Sequence, residues 1–243
     1  MNRVIKTLIR RKRAKSLGCS FVRISKFNLP AQILVNGSVI NLNYPKEEGV
    51  FNDFVSIFLD DDYGLNYLKG RNIEKIIDIG ANVGFFSLAA RIEFPNSKIH
   101  TYEPNHELSD YLSSYSSTLS LINFREAVGA KSGLVELELH GDSNQTRIIS
   151  AENGNIKMIS LQEALKRFDG DVDLLKMDCE GSEWKILEDK NALKRVNNIT
   201  LEYHLWENGM THQFAMEAVT SNGFKILDHK PSTDFGIITG ARE

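Results

Sequence analysis

Cysteine, proline and long apolar runs are all scarce in this sequence of 243 residues. The two cysteines, Cys19 and Cys179, are too few for a disulfide framework, so we expect a reducing, cytoplasmic location. Five prolines and 17 glycines exclude collagen-like and low-complexity chains. No stretch approaches the roughly 20 apolar residues that a transmembrane helix needs. The composition therefore predicts a globular chain with one sizeable core.

Acidic residues are absent from positions 1–15, which carry seven of the 29 basic side chains. The rest of the chain holds the other 22 basic side chains and all 32 acidic ones. Such an acidic body argues against nucleic-acid binding, which needs a basic face to neutralise phosphates. Residues 1–15 lack the apolar core of a signal peptide. Two interpretations remain, a solvated terminus or weak contact with an anionic membrane surface.

Short apolar runs alternate with amphipathic segments from Lys75 onward. The predicted strands are Lys75–Ile79, Lys98–Tyr102, Leu121–Ala127, Val172–Met177, Asn198–Glu202 and Phe224–Asp228. The predicted helices are Phe85–Glu93, Glu107–Leu119, Leu161–Phe168 (which begins with a capping box at Ser160), Glu183–Leu187 and Gln213–Ser221. This alternation predicts an α/β fold with a mostly parallel sheet and helices on both faces. We also expect strands at Leu134–Leu139 and Gly236–Thr239, the second an antiparallel edge strand, and a long loop at Gly141–Gly154.

The pattern divides the chain into an N-terminal extension, residues 1–70, and an α/β domain, residues 71–243. In the extension, Asn36-Gly37 between two short apolar runs predicts a β-hairpin. Phe51–Leu68 is predicted to be helical and needs a partner surface for its aromatic side. We expect this helix either to cover the mouth of a cleft or to pack against the sheet.

A glycine-containing turn follows the first strand of the α/β domain, in the order Asp78-Ile-Gly80-Ala-Asn82-Val-Gly84. In a parallel sheet, ligands bind at the carboxyl ends of strands, and Gly80 would let the backbone approach a ligand closely. The NAD fingerprint requires glycine at the positions of Asn82 and Phe85, so this sequence is a poor match to an NAD site. Glu103 ends the next strand, where a carboxylate can accept hydrogen bonds from both hydroxyls of a ribose. These residues predict a nucleoside site.

A third block, Leu174-Leu-Lys176-Met-Asp178-Cys-Glu180-Gly181-Ser-Glu183-Trp, narrows the interpretation. With the glycine turn and Tyr102-Glu103-Pro104, it resembles the FkbM family of methyltransferases over residues 73–204. The resemblance implies a Rossmann-like class I methyltransferase fold and S-adenosylmethionine as cofactor. By position, it places four residues around the methionine end of that cofactor and Glu103 on its ribose; the four are Asp78, Gly80, Asn82 and Gly84.

A hydroxyl group is a weak nucleophile until its proton is removed, so a general base is expected. His204, at the end of the fifth strand, has an imidazole whose ordinary pKa suits this role. Asp178 and Glu180 are alternatives, either as the base or as ligands of a divalent cation, although we expect no metal. Lys176, inside a buried strand, is expected to pair with a nearby acid or to orient the substrate.

The resemblance implies transfer of a methyl group to a hydroxyl on a glycan or a specialised metabolite. An N- or RNA-methyltransferase and a catalytically inactive cofactor-binding scaffold are the alternatives. The acidic body argues against the first, and the joint presence of Asp78, Glu103, Asp178 and His204 argues against the second.

Overall fold

A computed structural model describes residues 3–138, 147–150, 154–206 and 209–243 of the chain. The N-terminal extension begins with helix α1 (Arg3–Ser16) and a hairpin of strands β1 (Gln32–Val35) and β2 (Ser38–Asn41), which turns at the predicted Asn36-Gly37. Helix α2 (Glu48–Phe54) follows and continues into a π-helical segment, Val55–Asp60. A short 3-10 helix at Leu65–Leu68 ends the extension.

Strands and helices alternate over much of the remaining chain, as the sequence predicted, with runs of consecutive strands after Leu121 and at the C-terminal end. In chain order they are β3 (Lys75–Ile79), α3 (Phe85–Glu93), β4 (Lys98–Tyr102), α4 (His106–Leu119), β5 (Leu121–Phe124), β6 (Ala127–Gly129), β7 (Gly133–Glu138), β8 (Arg147–Ser150), β9 (Ile156–Ser160), α5 (Leu161–Leu165), β10 (Val172–Met177), α6 (Glu183–Leu187), α7 (Lys190–Leu193), β11 (Val196–His204), α8 (His212–Ser221), β12 (Lys225–Pro231) and β13 (Phe235–Ala241). The predicted capping box at the start of α5 is present.

Seven strands form the central sheet in the order β5-β4-β3-β10-β11-β13-β12. The pairs from β5 to β11 are parallel, and β13 runs antiparallel to both of its neighbours. The predicted α/β fold with a mostly parallel sheet is confirmed. After β3, the strands β4 and β5 add to one side of it. The later strand β10 pairs with the other side of β3, and β11 adds beyond β10. The strand order therefore reverses between β3 and β10, which is where open α/β sheets bind ligands.

Both faces of the central sheet are covered, because two separate hydrophobic clusters lie on its two sides. One cluster includes residues of α5, α6, α7 and α8. The other includes residues of α3, α4 and the N-terminal extension. Within it, the rings of Phe54 and Phe58 contact the ring of Phe85 in α3, with centroids 5.6 and 5.8 Å apart. The extension thus shares a core with α3.

Helix α1 is tied to the segment that follows α2 by charged side chains. The Arg10 guanidinium donates two hydrogen bonds to the Asp60 carboxylate, at 2.7 and 2.6 Å, and the Lys6 ammonium lies 3.0 Å from the same carboxylate. Arg13 donates to the carbonyl of Leu59 at 3.0 Å. A two-bond guanidinium–carboxylate contact fixes orientation as well as distance. These contacts position α1 as an ordered helix rather than a frayed terminus.

The prediction of one continuous helix over Phe51–Leu68 is wrong. Asp61, with φ of +57°, and Gly64, with φ of +66°, adopt left-handed backbone conformations that end the helical path. The Asp61 carboxylate accepts hydrogen bonds from the backbone N–H groups of Leu65 and Asn66, which start a new turn. Local side-chain hydrogen bonding of this kind competes with helix continuation.

Two strand predictions need correction. Leu121–Ala127 is not one strand, because β5 ends at Phe124 and β6 belongs to a second sheet of order β6-β9-β7-β8. Between them, Glu126 is held by Lys157 and Arg167, whose nitrogens lie 2.7 and 2.6 Å from its carboxylate.

The second correction concerns Gly236–Thr239, which was predicted as an antiparallel edge strand but is not at an edge of the central sheet. β13 lies between β11 and β12, and β12 is the edge. Its run from Gly236 to Ala241 is buried throughout, as an interior strand with both faces covered requires.

The predicted loop Gly141–Gly154 is also not continuous, because Arg147–Ser150 form β8. Residues 141–146 and 151–153 of that prediction lie outside the described residues. In the described part of the chain, every helix is too short or too polar to cross a bilayer.

Candidate active site

Four adjacent strands of the central sheet end at one edge, and the candidate site residues lie at or just after those ends. Gly80 follows β3, Glu103 follows β4, Asp178 follows β10, and His204 is the last residue of β11. The cleft at this edge has a volume of about 480 Å³, which is typical of small-molecule sites. Its lining includes Gly49, Asn52, Asp53, Gly80, Asn82, Glu103, Asp178, Glu180, Glu202, His204, Trp206, Asp234 and Phe235.

The N-terminal extension forms one wall of this cleft. Gly49, Asn52 and Asp53 of α2 line it, while Phe54 of the same helix points into the core beside α3. Helix α2 therefore packs against α3 and also borders the cleft.

Gly80 is required by the backbone of the neighbouring strand. It has a φ of +69°, which favours glycine, and a Cβ at this position would collide with the carbonyl group of Asp178. The sequence suggested close approach of a ligand as the reason for glycine. The structure adds a second reason, the carbonyl group of Asp178 just after β10, and Gly80 also lines the cleft.

Glu103 is a buried carboxylate at the cleft surface, with 5% of its area exposed. Its two oxygens accept hydrogen bonds from the backbone N–H groups of Asn82, at 2.7 Å, and Asn105, at 2.8 Å. Burial raises the pKa of Glu103 to about 7, although these two donors and the Lys176 ammonium act in the opposite direction. Each carboxylate oxygen can accept two hydrogen bonds, so Glu103 retains acceptor capacity for ligand hydroxyls.

Two predicted cofactor residues, Asp78 and Gly84, are not among the described residues that line the cleft. Asp78 is fully buried and accepts a hydrogen bond from the Ser87 hydroxyl at 2.6 Å. Gly84 precedes α3 with a φ of +83°, and a Cβ there would collide with Leu112 of α4. Both residues therefore lie outside the cleft lining, where Asp78 contacts α3 and Gly84 packs against α4.

Lys176 is a buried cation in β10 and pairs with acids, as the sequence predicted. Its Nζ lies 3.2 Å from Asp78 Oδ1 and 3.7 Å from Asp178 Oδ2, and it donates to the carbonyls of Ile79 and Gly80 at 3.2 and 2.6 Å. Burial alone would lower the pKa of Lys176, but the two carboxylates raise it above its ordinary value. The ammonium group therefore stays charged and joins the ends of β3 and β10.

Tyr63, in the N-terminal extension, is a site residue that the sequence interpretation missed. Its buried hydroxyl lies 2.8 Å from Asp178 Oδ2 and 3.1 Å from Glu202 Oε2. The backbone carbonyl of Tyr63 accepts hydrogen bonds from the hydroxyls of Thr200 and Thr239, at 2.9 and 3.0 Å. These two hydrogen bonds hold the backbone of Tyr63 against β11 and β13.

One proton arrangement satisfies Tyr63 and both carboxyl groups. Tyrosine has a single hydroxyl proton, so it can donate fully to only one of them. Burial and the nearby Asp178 raise the pKa of Glu202 well above its ordinary value. A carboxyl group that keeps its proton can donate to the Tyr63 oxygen, while Tyr63 donates to the other, charged carboxylate. Glu202 was also missed, although its place at the end of the predicted strand Asn198–Glu202 is a signal that the sequence offered.

His204 lies among carboxylates and is only 6% exposed. Its Nε2 lies 3.5 Å from Glu180 and 3.6 Å from Glu202, and its Nδ1 lies 3.7 Å from Glu183. Burial alone would lower the pKa of His204, but Glu183 and the other nearby carboxylates raise it above its ordinary value. The Trp206 ring covers the imidazole, with centroids 4.2 Å apart.

The same corner of the cleft has the donor set of a cation site. Asp178, Glu180 and His204 each offer one ligand atom, and these three atoms lie within 4.8 Å of one another. Carboxylate oxygens and imidazole together suit manganese and zinc as well as other divalent ions. These three residues can therefore hold a metal, the alternative that the sequence left open.

Comparison with protein families matches residues 78–226, more than half of the chain, to the methyltransferase FkbM domain. The chain belongs to the FkbM methyltransferase family. The resemblance seen in the sequence is thus confirmed, and S-adenosylmethionine-dependent methyl transfer is the reaction class of this FkbM protein. Among curated proteins, it is 26% identical over 234 residues to methyltransferase sdnD of Sordaria araneosa, a match that covers 78% of this chain and 89% of the relative.

Solved structures of methyltransferases overlap this FkbM chain in part. An FkbM methyltransferase from Methylobacillus flagellatus KT has a TM-score of 0.47 and 15% identity, covering 78% of this chain and 53% of that one. The magnesium protoporphyrin IX methyltransferase ChlM of Synechocystis PCC 6803, solved with bound SAM, has a TM-score of 0.47 and 10% identity, covering 83% and 87%. The strand order of the central sheet, β5-β4-β3-β10-β11-β13-β12, defines the α/β fold of the chain.

Replacing Tyr63 by Phe tests the shared proton arrangement. A hydrogen bond to a charged group contributes about 1.5–3 kcal/mol, and a neutral one about 1 kcal/mol. We expect Tyr63→Phe to lower the free energy of unfolding in urea by the larger amount. Tyr44→Phe is the matched control, because its hydroxyl donates to the neutral carbonyl of Pro30 at 3.2 Å. Equal losses in the two variants would contradict the arrangement.

Proposed function

We propose that this protein transfers the methyl group of S-adenosylmethionine to a hydroxyl oxygen of a glycan or a specialised metabolite. The observation that carries the proposal is the placement of His204. Its buried imidazole lies among Glu180, Glu183 and Glu202 in the same cleft as Glu103. A base and a candidate nucleoside-binding residue therefore share one cleft, as hydroxyl methylation requires.

The residues of the cleft fit the cofactor in two respects. Glu103 presents a carboxylate, fixed by two N–H donors, to accept hydrogen bonds from the ribose hydroxyls. Asp178 and Glu180 give the adjoining wall an acidic character, which favours a positively charged sulfonium. Gly80 and Asn82 would border the methionine end, with Asp78 and Gly84 supporting them from below. When bound, S-adenosylmethionine supplies a methyl group activated by its sulfonium.

His204 acts in this proposal as the general base. The neutral imidazole takes the proton of the acceptor hydroxyl, and the surrounding carboxylates stabilise the imidazolium that forms. Asp178, held by Tyr63 and Lys176, orients the acceptor. Positioning of the acceptor supplies much of the rate, because the reaction is a displacement that depends on alignment. Asp178 or Glu180 as the base, with or without a metal, is the competing assignment.

The acceptor side of the cleft favours a neutral, hydroxylated molecule. The Trp206 side chain is 40% exposed at the cleft, and a flat aromatic surface suits the face of a sugar ring. Asp53, Glu180 and Asp234 also line the cleft and can accept hydrogen bonds from hydroxyls. The same carboxylates would repel the phosphates of RNA, so this wall does not support the nucleic-acid alternative.

Cofactor affinity tests the role of Glu103. Because its pKa is about 7, the carboxylate that accepts the ribose hydrogen bonds forms as pH rises. We expect affinity for S-adenosylmethionine in calorimetry to rise by about tenfold between about pH 6 and pH 8. Glu103→Gln should remove this dependence, and Glu103→Ala should weaken binding by about ten- to a hundredfold.

Glu107→Gln is the control for Glu103, because Glu107 is an exposed glutamate in the first turn of α4. It should behave like the unaltered protein at every pH. A folded Glu103→Ala variant that binds the cofactor with unchanged affinity would remove Glu103 from the site.

Turnover of labelled cofactor with a library of hydroxylated acceptors tests His204. We expect His204→Ala to lower turnover by about a hundredfold or more while cofactor affinity stays the same. In the unaltered protein, turnover should rise with pH as the imidazole loses its proton. Because the carboxylates raise the pKa of His204, this rise should be centred above about pH 6.5. His106→Ala, which alters an exposed histidine, is the control.

Three outcomes would contradict this assignment. Retention of turnover in His204→Ala, with loss in Asp178→Asn or Glu180→Gln, would make a carboxylate the base. Loss of activity on chelation, restored by magnesium, would assign these residues to a metal. Cofactor binding without transfer to any acceptor, or transfer to RNA instead, would support one of the two alternative functions.

A further inference from the structure

Helix α1 has an outward face that combines apolar and basic side chains. Ile5 and Leu8 are 51% and 56% exposed, although both are large and apolar. One and two turns further along the same face lie the exposed Arg11, Lys12 and Lys15. Among the described residues, Lys12 and Lys15 form no ion pair. Exposed apolar side chains beside unpaired cations are typical of helices that lie on a membrane surface.

The inward face of the same helix is already occupied. Lys6 and Arg10 pair with Asp60, Arg13 lies 3.6 Å from Asp61, and Ala14 is fully buried. Three of the seven basic residues at positions 1–15 thus attach the helix to the protein, while Arg11, Lys12 and Lys15 lie on its exposed face.

The segment Val22–Lys26 extends this outward face. The Arg11 guanidinium donates to the carbonyl of Val22 at 3.0 Å, which places the segment beside α1. Val22 and Ile24 are 58% and 39% exposed, and they alternate with the exposed Arg23 and Lys26. No acidic residue occurs in the sequence before Glu47. Neither α1 nor this segment therefore contributes an acidic side chain to the surface.

We propose that this surface docks on an anionic lipid bilayer. The cations match the negative charge of phospholipid headgroups, and the apolar side chains are long enough to enter the headgroup boundary. Nucleic acid and acidic polysaccharide share the negative charge but offer no apolar layer for Ile5, Leu8 and Val22. The proposal does not depend on the identity of the methyl acceptor.

Vesicle flotation of the full chain tests this docking. We expect binding to vesicles made of equal parts phosphatidylcholine and phosphatidylglycerol, and little binding to phosphatidylcholine alone. Raising the salt concentration should weaken binding, because the cations act through a screened field. No binding to the anionic vesicles at low salt would overturn the proposal.

Two pairs of variants separate docking from a general charge effect. Lys12→Glu with Lys15→Glu should weaken vesicle binding by about tenfold or more, whereas Lys166→Glu with Lys194→Glu, the same charge change on exposed lysines elsewhere, should change it little. Ile5→Ser with Leu8→Ser should also weaken binding, and Leu134→Ser, at another exposed leucine, should not.

Equal losses in the two lysine pairs would overturn the proposal. So would unchanged vesicle binding in Ile5→Ser with Leu8→Ser, together with tighter binding of the unaltered chain to heparin or RNA. That result would identify a site for polyanions without a lipid component.

Discussion

One buried ammonium group holds together the two halves of the sheet at the cleft. Lys176 belongs to β10, yet its Nζ contacts Asp78 and the carbonyls of Ile79 and Gly80 at the end of β3. Strand order reverses between these two strands, so the crevice opens where the ammonium group binds. Asp78 is fully buried, and a buried charge is costly unless it is paired. The floor of the cleft therefore depends on this ion pair.

The N-terminal extension completes the same charge network from the other side. Tyr63 joins Asp178, which Lys176 also contacts, to Glu202, which lies beside His204. The backbone of Tyr63 is held through its carbonyl group. The path of the chain at this point depends on the left-handed Gly64, where a Cβ would collide with Thr239. A segment that precedes the family domain thus supplies part of the candidate catalytic cluster.

Sequence alone predicted β3, β4 and β10 with the bounds that the structure shows, because each is a short apolar run ended by glycine or acid. It also predicted that Glu103, Asp178 and His204 would meet at one edge, because parallel strands place their carboxyl ends together. It missed Tyr63, which lies 115 residues from its partner Asp178, and no local pattern encodes such a contact. The interior position of β13 was missed for the same reason, since pairing across a sheet is not a local property.

The unfolding free energy of Lys176 variants tests the central ion pair most directly. Lys176→Met keeps the approximate shape of the side chain but leaves Asp78 buried without its cation. Removing one partner of a buried pair costs about 3–5 kcal/mol, so we expect a loss of that size in urea unfolding. Adding Asp78→Asn to the same variant removes the orphaned charge and should restore most of the stability. A Lys176→Met protein as stable as the unaltered one, or a double variant no more stable than the single one, would contradict the account.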